Sequence, residues 1–156
     1  MNPSMMITFA ILLLASTWDL RTRTIPNIIT LGGSLVGLAW HFHAAAGTRA
    51  GIVAAAFALA SGILCGLIPY WHFRKGTTGG GDVKLFFAIG VLVGPFGGVL
   101  TYFFSYVLLF LLVAARIAVR ILRKERGLYR GTPTPLAPLV AAGYLVVAFM
   151  PVPGLP

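Results

Sequence analysis

The sequence predicts an all-α polytopic membrane protein with six transmembrane helices, on three observations. Of its 156 residues, 58% are hydrophobic and 10% charged, with a mean hydropathy of +0.93, well outside the range of a soluble domain. Apolar runs recur along the chain with short polar breaks between them. The net charge of +9 is gathered into clusters between those runs, which fits the positive-inside pattern of membrane proteins and not the continuous basic face of a nucleic-acid binder. One domain over residues 1–156 accounts for the length. The single cysteine, Cys65, lies in an apolar run, so no disulfide framework or thiolate metal site is expected and core packing is its reading.

The first helix is expected from Pro3 to Leu20. Its run Met5 to Leu14 lacks a basic leader and a small-residue cleavage site, so it reads as a retained helix. Arg21 to Asn27 form a polar loop whose Pro26 opens the second helix, Ile28 to His43. Gly47 to Arg49 turn the chain into a third, Ile52 to Tyr70, and a loop from Trp71 to Gly81 follows. The fourth, Val83 to Gly94, is short for the ~20 residues of a full span; tilt, shielding by protein, or continuation through Gly94-Pro95-Phe96-Gly97-Gly98 would each accommodate it. The fifth runs from Val99 to Ala118 and leads into a basic segment ending at Arg130. A proline-punctuated stretch then introduces the sixth, Leu136 to Met150.

In this topology the loops after helices one, three and five share a side and hold eleven of the twelve Lys and Arg residues; Arg49 alone falls opposite. Those loops are therefore expected in the cytoplasm and both termini outside it. Trp18, Trp40 and Trp71 fall near helix ends, at the depth that amphipathic rings prefer.

The chain has only three carboxylates, Asp19, Asp82 and Glu125. An ionisable group at the edge of a hydrocarbon layer is costly unless it faces a polar cavity or a partner. Asp82 opens the fourth helix directly after Gly79, Gly80 and Gly81, which permit close approach of the backbone. Asp19, 63 positions earlier, closes the first helix at the same face. Two carboxylates that meet share a proton and titrate as a unit. The ionised member can then take a proton from water while the protonated one hydrogen-bonds a scissile carbonyl, with no metal or cofactor required.

Taken singly, each residue has a plainer reading. Asp82 could cap a helix, and Asp19 could pair with Arg21 or Arg23 at the interface. The glycines could be a flexible linker. Lys84 could snorkel to the headgroups or tune the dyad. Glu125 reads as a surface ion-pair partner, His41 and His43 as interfacial residues, and His72 as a histidine without a ligand set. Two of three acids at matching depth, each in a distinctive local pattern, favour the paired reading.

Those patterns resemble the type IV prepilin peptidases, membrane aspartic proteases of the Gly-x-Gly-Asp class. The family carries one catalytic aspartate shortly before Ile-Pro-Asn, here Asp19 before Ile25-Pro26-Asn27, and the second in Gly-x-Gly-Asp-x-Lys, here Gly79-Gly80-Gly81-Asp82-Val83-Lys84. The resemblance covers nearly the whole chain, including Leu85 to Gly90 and Pro135 to Gly143. It implies catalysis by Asp19 and Asp82, with Gly79, Gly80, Gly81, Lys84, Pro26 and Asn27 shaping or binding at the site. It also implies a multi-pass protein of the cytoplasmic membrane that cleaves prepilin-like precursors between a basic leader and an apolar helix, at the cytoplasmic face. The cytoplasmic Cys-x-x-Cys region of longer, methylating members is not found here, so peptidase activity alone is expected, as in compact peptidases of tight-adherence or Flp-type pilus systems. The presenilin type lacks support because its Tyr-Asp and Pro-Ala-Leu signatures are missing. A small transporter or a non-catalytic pilus-assembly scaffold remains as the alternative class.

Overall fold

The computed structural model describes residues 3–45, 49–123 and 134–150. Five helices follow one another: α1 Pro3–Thr22, α2 Asn27–Ala44, α3 Arg49–Arg74, α4 Gly80–Leu122 and α5 Ala137–Ala148. No strand occurs among the described residues. α1, α3 and α4 are long and apolar enough to cross a membrane.

α4 is not one straight rod. Gly94 has φ 83° and ψ 174°, a conformation essentially restricted to glycine, and Pro95 follows it. Phe86 and Tyr102 lie 16 positions apart, which a straight helix would separate by about 24 Å, yet their rings stand 5.0 Å apart. The chain therefore reverses at Gly94, and α4 is a hairpin of two antiparallel arms, residues 80–93 and 95–122. The expected boundary between a fourth and a fifth helix is thus a one-residue break in place of a longer turn.

The first arm is the centre of the molecule. Leu85, Phe86, Ala88, Ile89, Val91 and Leu92 are all buried; Leu85, Phe86, Ile89 and Leu92 belong to a core shared with Leu12 and Ala15 of α1 and with Ala137, Val140 and Tyr144 of α5. A short helix surrounded by protein needs no lipid-spanning length, because its neighbours shield its ends. Polar side chains within α1 bond to their own helix, as when the Thr8 hydroxyl donates to the Ser4 carbonyl at 2.7 Å and Ser16 to Leu12 at 2.6 Å, so they sit in an apolar interior at little cost.

Several helix ends depart from the expected boundaries: α3 starts at Arg49, ahead of Ile52, and the second arm of α4 runs to Leu122, past Ala118. α3 continues past Tyr70 to Arg74, and its last turn is secured locally: His72 Nδ1 lies 3.1 Å from the Ile68 carbonyl, and the Thr77 hydroxyl donates to the His72 carbonyl at 2.9 Å. α1 continues to Thr22. It stops because Arg23, at φ 54°, adopts the left-handed cap conformation and donates its N–H to the Asp19 carbonyl at 2.9 Å. α4 begins at Gly80, before the expected Val83. Positions 47 and 48 of the expected turn, and the part of the basic segment from 124 to 130 with Glu125, lie outside the described residues.

Candidate active site

One end of the bundle gathers the end of α1, the start of α2, the end of α3, the start of α4 and the residues leading into α5. Between them lies a cavity of about 710 Å³, lined among others by Asp19, Gly79, Gly80, Gly81 and Asp82. Both carboxylates open onto it, although they arrive by different routes.

Asp19 sits in the last turn of α1 and is 6% exposed. Its Oδ2 accepts the backbone N–H of Ala137, 118 positions away, at 3.1 Å. The donor belongs to the first turn of α5, where N–H groups have no intrahelical acceptor. A carboxylate at a helix C-terminus, an unfavourable end for a negative charge, is thus served by the N-terminus of another helix.

Asp82 is positioned by its own segment. Gly79 precedes α4, its N–H donates to Asp82 Oδ2 at 3.2 Å, and the Asp82 N–H donates back to the Gly79 carbonyl at 3.2 Å. This reciprocal turn starts the helix three residues earlier than the apolar run implies. The helix-capping reading of Asp82 and the site reading are therefore compatible: one oxygen caps while the carboxylate faces the cavity.

The glycines set the approach distance. A Cβ on Gly81 would stand 3.2 Å from Ile25 Cβ and 3.4 Å from the Ile25 nitrogen, so this glycine lets the α1–α2 loop lie against the start of α4. Pro26 caps α2. Behind the cavity, the Lys84 ammonium donates to Asn27 Oδ1 at 2.7 Å. Pro26, Asn27 and Lys84 do not line the cavity; they tie α2 to α4, a third use for Lys84 beside snorkelling and dyad tuning. Cys65 is 2% exposed and packs inside the hairpin, remote from the carboxylates, with its thiol 3.6 Å from the Pro95 carbonyl.

Sequence reasoning missed one wall of the cavity. His72 and Tyr106 both line it. Tyr102 reaches His72 Nδ1 at 3.3 Å, Tyr106 reaches the Thr78 hydroxyl at 3.3 Å, and the two tyrosine rings stack at 4.4 Å. The signal was present: tyrosines at i and i+4 share a helix face. Their partners are 28 and 30 positions away and meet them only because the hairpin folds back. Among the described residues no three His, Cys, Asp or Glu side chains converge as a metal site.

A carboxylate pair in a cavity roomy enough to admit both water and a peptide segment, at the end of an apolar bundle, is suited to hydrolysis. Comparison with known families points the same way, because the sequence model of the type IV leader peptidase family matches residues 6–115. The chain belongs to the type IV leader peptidase family. This leader peptidase is accordingly a membrane-bound protease of the prepilin-peptidase type. The match contains both aspartates and both glycine-rich regions and ends before α5, so the Ala137 donor to Asp19 lies outside it. No curated protein and no solved structure matches the chain.

Proposed function

We propose that this leader peptidase is an aspartic endopeptidase that cuts prepilin-like precursors at the cytoplasmic face of the cytoplasmic membrane, with Asp19 and Asp82 as its catalytic pair. The observation that carries the reading is that the two carboxylates open onto one cavity from opposite kinds of helix end. With one proton between them, the ionised carboxylate removes a proton from water as the water oxygen attacks the scissile carbonyl carbon. The protonated carboxyl gives its proton to the carbonyl oxygen. Collapse of the tetrahedral diol breaks the C–N bond: the departing nitrogen takes a proton from the pair while a diol hydroxyl returns one to it as the new carbonyl forms, so the pair again holds one proton.

Six crossings are part of the same proposal: α1, α2, α3, the two arms of α4, and α5. The hairpin supports it by returning the chain to the carboxylate end, and the burial of the first arm accounts for its short length. In the sequence, eleven of the twelve basic residues fall around the ends of α1 and α3, the start of α4 and its C-terminal end and beyond, which supports a cytoplasmic cavity. The expected substrate joins a basic leader to an apolar helix, which lies in the bilayer while the junction reaches the cavity.

The test is cleavage of a co-expressed precursor of that design, scored by its mature N-terminus, for the wild type, Asp19→Asn and Asp82→Asn. Each amide keeps an oxygen for its backbone donor, so folding should hold while cleavage drops by about 10²–10⁴-fold, the usual range for general acid–base catalysis. The wild type should show a bell-shaped pH dependence with one limb for each protonation step of the pair. Wild-type cleavage by either variant would exclude the paired mechanism.

A further inference from the structure

A second hollow, of about 370 Å³, lies on the other side of the α4 start, between α2, α3 and the first arm. Leu31, Ser34, Ile63 and Leu67 form much of its wall, and Tyr70 and Lys84 line it as well. Leu31, Ile63 and Leu67 are each at least half exposed, so the hollow opens sideways, toward where acyl chains would run. Its floor is apolar in effect: Thr30 donates to the Asn27 carbonyl at 3.2 Å and Ser34 to the Thr30 carbonyl at 2.7 Å, which occupies both hydroxyls.

Polarity is graded along this groove. Tyr70 and Lys84 lie toward the carboxylate end, where α3 finishes and α4 starts. Ile63 lies two turns deeper, about 10 Å at 1.5 Å per residue. Lys84 is exposed and spends one of its three N–H donors on Asn27. Among the described residues no carboxylate bonds it, and Asp19 and Asp82 line the other cavity. The groove thus offers an uncompensated cation above an apolar trough.

We infer that this groove is a binding site for one anionic phospholipid, with its phosphate on the Lys84 ammonium and an acyl chain along Leu31, Leu67 and Ile63. Charge complementarity favours this occupant over a zwitterionic lipid. It also disfavours a basic peptide, whose charge would meet Lys84. Because Lys84 holds Asn27, and with it the loop packed on Gly81, an occupied groove steadies the start of α4 from the side opposite the catalytic cavity.

The test is native mass spectrometry of the full chain released from nanodiscs holding equal amounts of phosphatidylglycerol and phosphatidylcholine with identical acyl chains. The wild type should retain one phosphatidylglycerol in preference to phosphatidylcholine by about fivefold, the value of one lysine near an anionic headgroup. Lys84→Gln should lose the preference and Lys84→Arg should keep it. Leu67→Trp, a change at an exposed position that fills the trough, should lose the retained lipid of either kind. Equal retention of both lipids by the wild type, or a preference that survives Lys84→Gln, would overturn the inference. So would a photoreactive residue at Leu67 that labels a co-expressed precursor in place of lipid, because the groove would then belong to the substrate helix.

Discussion

The two ends of the first arm of α4 are both rich in glycine, and the glycines do different work. At the carboxylate end, a Cβ on Gly81 would press on the side chain and nitrogen of Ile25 in a loop, with contacts no closer than 3.2 Å. At the hairpin end, a Cβ on Gly90 would stand 2.7 Å from Cys65 Cβ and 2.7 Å from the Ser61 carbonyl oxygen, both fixed within α3. A loop can yield by a few tenths of an ångström; the backbone of a packed helix cannot. Small residues at one end therefore adjust a site, and at the other they permit the fold.

The largest expected effect comes from breaking the hairpin end. Gly90→Ala should cost more than the usual 1–3 kcal/mol of overpacking, seen as loss of monodisperse protein after detergent extraction. Gly98→Ala should be nearly as damaging, because its Cβ would collide with Cys65 Sγ, but its other neighbours stand no closer than 3.4 Å. Cys65→Ala should therefore rescue Gly98→Ala. It should not rescue Gly90→Ala, where the Ser61 carbonyl remains. Equal rescue of both would show that α3 yields at this crossing and that the contrast between the two ends is wrong.

The carboxylate end should respond in rate before stability. Gly81→Ala should extract normally and cleave roughly tenfold more slowly, since small misplacement of reacting groups is expensive. Gly80→Ala is the internal control. Its Cβ would meet only the edge of the Phe73 ring, at 3.4 Å, so cleavage should stay within about twofold of wild type. If Gly81→Ala instead failed to fold, the two ends would be alike.

This division also explains what could be read from the chain alone. Hydropathy and proline or glycine punctuation located every helical segment, and the two aspartates stood out because they are two of three acids. Asp82 was legible in detail because its geometry is local, three residues from its donor. The surroundings of Asp19 were not. Its donor, Ala137 N–H, is a backbone group 118 positions away, and any residue but proline supplies one. The His72, Tyr102 and Tyr106 wall was hidden for the same reason, since its contacts exist only after Gly94 turns the chain. Helix ends at Thr22 and Arg74 were missed because they depend on caps formed by Arg23 and Thr77, which hydropathy does not register.

The smallest effect tests whether the carboxylate end is held by more than glycine. The Lys84–Asn27 bond is short, at 2.7 Å, but Lys84 is exposed, so water competes for it and its coupling should not exceed about 1 kcal/mol. Lys84→Met and Asn27→Ala should each slow cleavage by a few-fold, at most about fivefold on that scale. The double variant should be no slower than either single one, because the second change removes a bond already lost. The informative step adds Gly81→Ala. Lys84 pulls on Asn27 and Gly81 admits Ile25, so both act on one three-residue stretch, Ile25 to Asn27, where the loop enters α2. Their effects on rate should be less than multiplicative. Fully multiplicative losses would mean that the loop takes up the two changes independently, and that close approach at Gly81 and the Lys84 tie serve different parts of the site.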